Sequence, residues 1–104
     1  MGRESTLQSK CIAYLKRSHI YCINIYGSGR CAKGAPDLIA CIGGLFVAFE
    51  FKVGKNGLQE DQKYHKAHIE GSGGSHYTPR SFEEFKSIVD ELKESNNERR
   101  IYHT

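Results

Sequence analysis

Residues 34–57, GAPDLIACIGGLFVAFEFKVGKNG, read as two apolar strands, DLIACI and LFVAFEFK, joined at Gly43-Gly44. A Gly-Gly pair suits a two-residue hairpin because both turn positions call for positive φ, which glycine adopts without steric cost. With those two residues as the turn, Ile42 faces Leu45, Ile39 faces Ala48 and Asp37 faces Glu50. Directly opposed residues of an antiparallel pair have Cβ atoms about 4.5–5.5 Å apart. The hairpin therefore brings two carboxylates together at its open end. Lys52 stands two residues beyond Glu50 and shares its face whatever the register, because side chains alternate along a strand.

Two like charges opposed on a largely buried sheet repel, and burial makes each costly unless a cation lies between them. Oxygen ligands suit a hard divalent ion, Mg²⁺ or Mn²⁺, and both keep waters in their shell for chemistry. An ammonium beside such an ion, that of Lys52, can orient water or hold a phosphate. A plain salt bridge from Lys52 to Glu50 or Asp37 is the structural alternative. The Pro36-Asp37 pair, placed across a glycine hairpin from Glu50-x-Lys52, favours the metal reading.

Outward from the hairpin, the chain supplies elements on both sides. From Glu4 to about Ser18, Leu7, Cys11, Tyr14 and Leu15 recur at helical spacing and define an amphipathic first helix. IYCINI, Ile20 to Ile25, is β-branched and aromatic and predicts a strand. The glycine-rich YGSGRCAKGAP that follows predicts a loop. Beyond VGKNG, Leu58, Gln62, His65 and Ile69 lie on one helical stripe that GSGG ends. SHYTP offers a short strand. Ser81, with Glu84 three residues on, forms a capping-box signature for a helix whose buried face is Phe82, Phe85, Ile88, Val89 and Leu92. The end, residues 95–104, is polar and carries no core signal. The order α-β-β-β-α-β-α predicts a mixed α/β sandwich, a central sheet flanked by helices, with strands apolar enough to be covered on both faces.

The bounds agree with this. A chain of 104 residues forms one domain over 1–104, and 38% apolar with 26% charged content is ordinary for a globular protein. No apolar run is long enough to cross a bilayer and the N-terminus has no apolar signal segment, so a cytoplasmic protein without a membrane partner is expected. The net charge of +3 is mild, but basic residues crowd around the hairpin: Arg30 and Lys33 before it, Lys52 and Lys55 at its end, Lys63 and Lys66 beyond. Cys11, Cys22, Cys31 and Cys41 have no C-x-x-C spacing and the five histidines no ligand pattern, which argues against zinc and for reduced, packed cysteines.

Pro36-Asp37 followed by Glu50-x-Lys52 on the next strand resembles the PD-(D/E)XK nuclease superfamily. KGAPDLIA with FEFKVGKNGLQEDQ resembles, more narrowly, the VRR-NUC family in its small stand-alone phage and bacterial form. The similarity runs from Glu4 to about Phe85. The resemblance implies a restriction-endonuclease-like α-β-β-β-α-β core. It implies Asp37, Glu50 and the backbone carbonyl of Phe51 as ligands of Mg²⁺ or Mn²⁺, Lys52 as catalytic, Glu4 on the first helix near the metal and Gln62 on the following helix reaching the site. For Glu4 the other reading is an acid favoured by the helix dipole, and for Gln62 an exposed polar residue. Arg30, Lys33, Lys55 and Lys63 are candidate DNA contacts, against a solvated basic surface. Tyr26 and Tyr64 either stack on bases or pack. For such small members the resemblance implies a homodimer that cuts four-way (Holliday) junctions, acting on branched DNA without an organic cofactor, in the host cytoplasm if phage-encoded. A nickase or flap-type nuclease, or a non-catalytic nucleic-acid-binding module on the same fold, are the alternatives.

Overall fold

The computed structural model describes residues 3–25 and 32–102, with side chains to residue 95. The elements follow the order α1 (Arg3–Arg17), β1 (Cys22–Asn24), β2 (Leu38–Ile42), β3 (Leu45–Phe49), α2 (Glu60–Gly71), β4 (Ser75–Tyr77) and α3 (Phe82–Tyr102). The sheet order is β1-β2-β3-β4, antiparallel except for the parallel β3–β4 pair. This is the mixed sheet with flanking helices that the sequence predicts.

Gly43 and Gly44 take φ of 61° and 84°, both in the left-handed region. The register they set pairs Ile42 with Leu45, Ile39 with Ala48 and Leu38 with Phe49. One sheet face, Leu38, Ala40, Ile42, Val47 and Phe49, is buried with Leu7, Cys11 and Leu15 of α1 and Phe85 and Val89 of α3. Phe49 and Phe85 rings lie 4.7 Å apart. The Tyr14 hydroxyl donates to Asp90 Oδ1 at 2.6 Å, tying α1 to α3. Burial pushes the Cys11 thiol up to about 12, so it behaves as a small hydrophobe. Cys31 lies outside the described residues; Cys11, Cys22 and Cys41 are free.

Several expectations need correction. Among the described residues the opposite sheet face is covered where α2 lies over β4: Ala48 and His76 are buried, but Ile23 and Phe46 are 47% and 48% exposed and Cys41 is exposed. The first strand begins at Cys22, not Ile20. Ile20 is spent on closing α1: its N–H donates to the Leu15 carbonyl at 2.9 Å and that of His19 to Lys16 at 3.1 Å, with His19 at φ 59°. This is a six-to-one helix closure with the left-handed residue that it requires. Leu58 precedes α2, which starts at Glu60. The capping of α3 is also shifted: Ser81 Oγ accepts the Glu84 N–H as predicted, but Glu84 Oε1 reaches the Arg80 N–H instead of that of Ser81. The helix itself continues to Tyr102, through the polar end.

Candidate active site

β2 and β3 part company at Asp37. Its N–H still donates to the Phe49 carbonyl at 3.0 Å, and its carboxylate Oδ2 accepts the Phe51 N–H at 3.0 Å. Beyond Phe49 the chain leans toward β4, the Glu50 N–H donating to the Tyr77 carbonyl at 3.0 Å. Glu50 and Lys52 thus lie just past the end of β3, in the mouth opened where the strands separate. Both side chains are buried, 5% and 8% exposed.

The two carboxyls are within hydrogen-bonding reach of one another, which favours ionised Asp37 and raises the cost of ionising Glu50. Burial, then the Asp37 charge, pushes Glu50 up to about 8. Burial also raises Asp37, partly offset by the Phe51 N–H. Glu50 Oε1 is buried without a hydrogen-bond partner. A buried carboxylate oxygen with no donor, facing a second carboxylate, is an arrangement that a hard cation satisfies. The Phe51 carbonyl accepts no hydrogen bond among the described residues. Asp37 and Glu50, with that carbonyl nearby, therefore fit a divalent ion. Among the described residues no three Asp, Glu, His or Cys side chains come close enough to hold a metal by themselves, so backbone oxygen and water would complete the shell.

Lys52 makes no ion pair with either carboxylate among the described residues. Its charge favours their ionised forms from a distance. The plain salt bridge considered for Lys52 is absent, and its ammonium remains available. Glu4, in the first turn of α1, is near enough for its charge to raise both Asp37 and Glu50. Gln62 points inward: its Nε2 donates to Glu50 Oε2 at 3.1 Å while its Oε1 accepts the Gln59 N–H at 2.9 Å at the start of α2.

The candidate DNA contacts divide by partner. Arg30 lies outside the described residues, as does Tyr26. Lys33 is 3.9 Å from Asp61 and Lys63 is 3.4 Å from Glu60, both pairs exposed on the lysine side. Lys55 is exposed with no acid paired to it among the described residues. Tyr64 is 61% exposed and packs on His68, with ring centroids 4.3 Å apart. α2 also fixes the segment entering Asp37. Gly34, at φ 87°, lies so close that a Cβ would stand 2.6 Å from the Asp61 backbone, and His65 Nε2 bonds the Lys33 carbonyl at 3.1 Å. Sequence reasoning missed this contact, since nothing in the spacing of Gly34 and Asp61 announces it. It also missed Gln8, a buried amide that donates to Asn24 Oδ1 at 2.7 Å. The signal was a polar residue one turn beyond Glu4 beside the apolar stripe of α1.

No family model matches the sequence, and no curated protein matches it. Solved structures do. A structure described as a VRR_NUC domain superposes with a TM-score of 0.72 at 17% identity, covering 86% of this chain and 97% of the other. The chain has the fold of a VRR-NUC domain. A second neighbour is Hjc of Archaeoglobus fulgidus, a Holliday junction resolvase from an archaeal hyperthermophile. It has a TM-score of 0.55 at 21% identity, covering 74% of this chain and 67% of that one. The restriction-endonuclease-like core expected from Pro36-Asp37 and Glu50-x-Lys52 is the architecture observed. Among the described residues no helix is long and apolar enough to cross a membrane.

Proposed function

We propose that the protein is a divalent-metal-dependent DNA endonuclease that hydrolyses phosphodiester bonds, preferring branched DNA and acting as a homodimer on four-way junctions. The observation that carries the reading is the pairing of half-buried Asp37 with buried Glu50, with an orphaned Glu50 oxygen and a Lys52 ammonium committed to neither carboxylate. A fold built for stability would have bridged or replaced these charges, since breaking or omitting a partner for a buried charge costs about 3–5 kcal/mol.

Asp37, Glu50 and the Phe51 carbonyl would hold Mg²⁺ or Mn²⁺, with Glu4 contributing charge from α1. When bound, the ion supplies a Lewis acid for the phosphate and makes water more acidic. The Phe51 N–H orients Asp37 and favours its ionised form, and Gln62 orients one oxygen of Glu50. Lys52 Nζ donates to a non-bridging phosphate oxygen as negative charge grows there, or orients the water that attacks phosphorus. Arg30, Lys33, Lys55 and Lys63 would meet backbone phosphates.

Paired incision of a junction needs two sites, and one 104-residue chain carries one. The uncovered sheet face, with Ile23, Cys41 and Phe46, supports self-association. A panel of labelled four-way junction, flap, nicked and linear duplex DNA, with Mg²⁺ or Mn²⁺ and with chelator, tests the reading. Paired cuts in the junction are expected. No cleavage of any substrate by the folded protein with either metal would refute it.

A further inference from the structure

Three cationic side chains meet at the VGKNG turn, and sequence spacing gives no hint of the meeting. Gly54, at φ 64°, turns the chain two residues after Lys52. Arg80 Nη1 donates to the Gly54 carbonyl at 3.1 Å. Arg3 Nη2 stands 3.9 Å from where a Gly54 Cβ would be. Lys55 is the next residue, and Arg3, Gly54, Lys55 and Arg80 are all exposed. Arg3 comes from the start of α1 and Arg80 from the residues just before α3, so elements from both ends of the chain deliver charge to one place.

None of these three cations pairs with a carboxylate among the described residues. That separates them from Lys33, Lys63, Lys66 and Lys86, which lie 3.0–3.9 Å from Asp61, Glu60, Glu70 and Asp90. The nearby acids are otherwise engaged: Glu4 bears on Asp37 and Glu50, and Glu84 takes the Arg80 backbone N–H. Beyond the Arg80–Gly54 bond, nothing among the described residues rewards gathering unneutralised cations, because like charges held close repel. They also stand near the starts of α1 and α3, where the peptide dipoles favour anions over cations. Guanidinium groups suit phosphate because their fixed donor forks match its oxygens.

We infer that Arg3, Lys55 and Arg80 form a phosphate-binding surface for the nucleic-acid strand that flanks the scissile phosphate at Lys52. The surface holds the backbone without reading sequence. This rests on the nuclease reading above, and Arg3 and Arg80 are the residues it adds.

The test measures binding of fluorescein-labelled four-way junction and linear duplex to the folded Glu50→Gln protein over a range of salt, in chelator, so that cleavage plays no part. Arg3→Gln/Arg80→Gln is compared with Lys86→Gln/Lys93→Gln, which removes the same charge from α3. Each lost phosphate contact lowers the slope of log K against log salt by about 0.9. The arginine pair should therefore lower it by roughly 2 and the lysine pair leave it unchanged, with Arg80→Lys recovering most of its share. Should the double variant not fold, Arg3→Gln alone, at an exposed side chain, should lower the slope by about 1. Equal slopes for the two pairs in a parent that binds DNA overturn this inference and leave the nuclease reading intact. A parent that binds neither substrate overturns both.

Discussion

Gln62 Nε2 donates to Glu50 Oε2 at 3.1 Å, while Gln62 Oε1 accepts the Gln59 N–H at 2.9 Å. One amide therefore anchors α2 at its first turn and holds a buried carboxylate at the end of β3. Gln62→Ala removes both bonds. Losing an outer partner of a ligating carboxylate costs about 10- to 100-fold in metal affinity or activity, and losing the helix-end bond about 1 kcal/mol. Cleavage should fall by that factor with only a small drop in melting temperature, measured side by side. Wild-type cleavage with a lower melting temperature would reduce Gln62 to a cap.

Lys52 differs from its neighbours because it is buried with no ion pair among the described residues. Lys52→Met should abolish cleavage, by about three orders of magnitude if its donor acts on developing charge. Metal affinity measured by calorimetry should change far less. Asp37→Asn and Glu50→Gln should lose cleavage and metal binding together, with junction binding kept or strengthened because negative charge facing phosphate is gone. If Lys52→Met cleaves normally, the lysine is a spectator.

How much of this was readable in advance depends on how local the determinant is. The Gly43-Gly44 turn fixes the hairpin register by backbone sterics alone, so Asp37 and Glu50 were placed together by counting. Helical spacing put Gln62 on the stripe that faces the site. The start of the first strand is lost to a competing local rule: Ile20 closes α1, and only the left-handed His19 betrays it. The open sheet face was misread because Cys41 and Phe46 look like core residues in one dimension, and coverage depends on where α2 comes to rest. The gathering of Arg3 and Arg80 at Gly54 was invisible for the same reason. It depends on tertiary placement of two helix starts far apart in the chain.

Gly34 offers a test of the loop docking. At φ 87°, with a Cβ 2.6 Å from the Asp61 backbone carbon and oxygen, any side chain must push the entering segment off α2. The left-handed conformation alone costs a non-glycine residue about 1–2 kcal/mol. Gly34→Ala should lower the melting temperature by roughly 5–10 °C and weaken cleavage, because Asp37 follows three residues later. His65→Ala, which only frees the Lys33 carbonyl, should do less. A Gly34→Ala protein as stable and active as the parent would show that the contact positions nothing.

The acidity of Glu50 gives a prediction whose sign separates a metal site from a structural ion pair. Burial and the Asp37 charge push the folded-state pKa up to about 8 from an ordinary value of 4.5. A carboxyl raised on folding stabilises the native state fully below its unfolded pKa, and that contribution is lost as pH rises toward the folded value. In chelator, the loss runs from about pH 4.5 to about pH 8, and the raised Asp37 acts in the same direction. Glu50→Gln keeps the neutral shape, so its melting temperature should exceed that of the parent at pH 8 by on the order of 5 °C, with the gap closing toward pH 5. His76, buried and lowered by that burial, destabilises both proteins as pH falls below its ordinary value of 6.5 and cancels in the comparison. Millimolar Mg²⁺ or Mn²⁺ should then raise the parent alone, because a ligand bound only by the native state stabilises it by mass action. Had Glu50 been held in a structural salt bridge, Gln would melt lower than Glu at pH 8 and the metal would make no difference. That pair of results would remove the divalent site, and the nuclease reading with it.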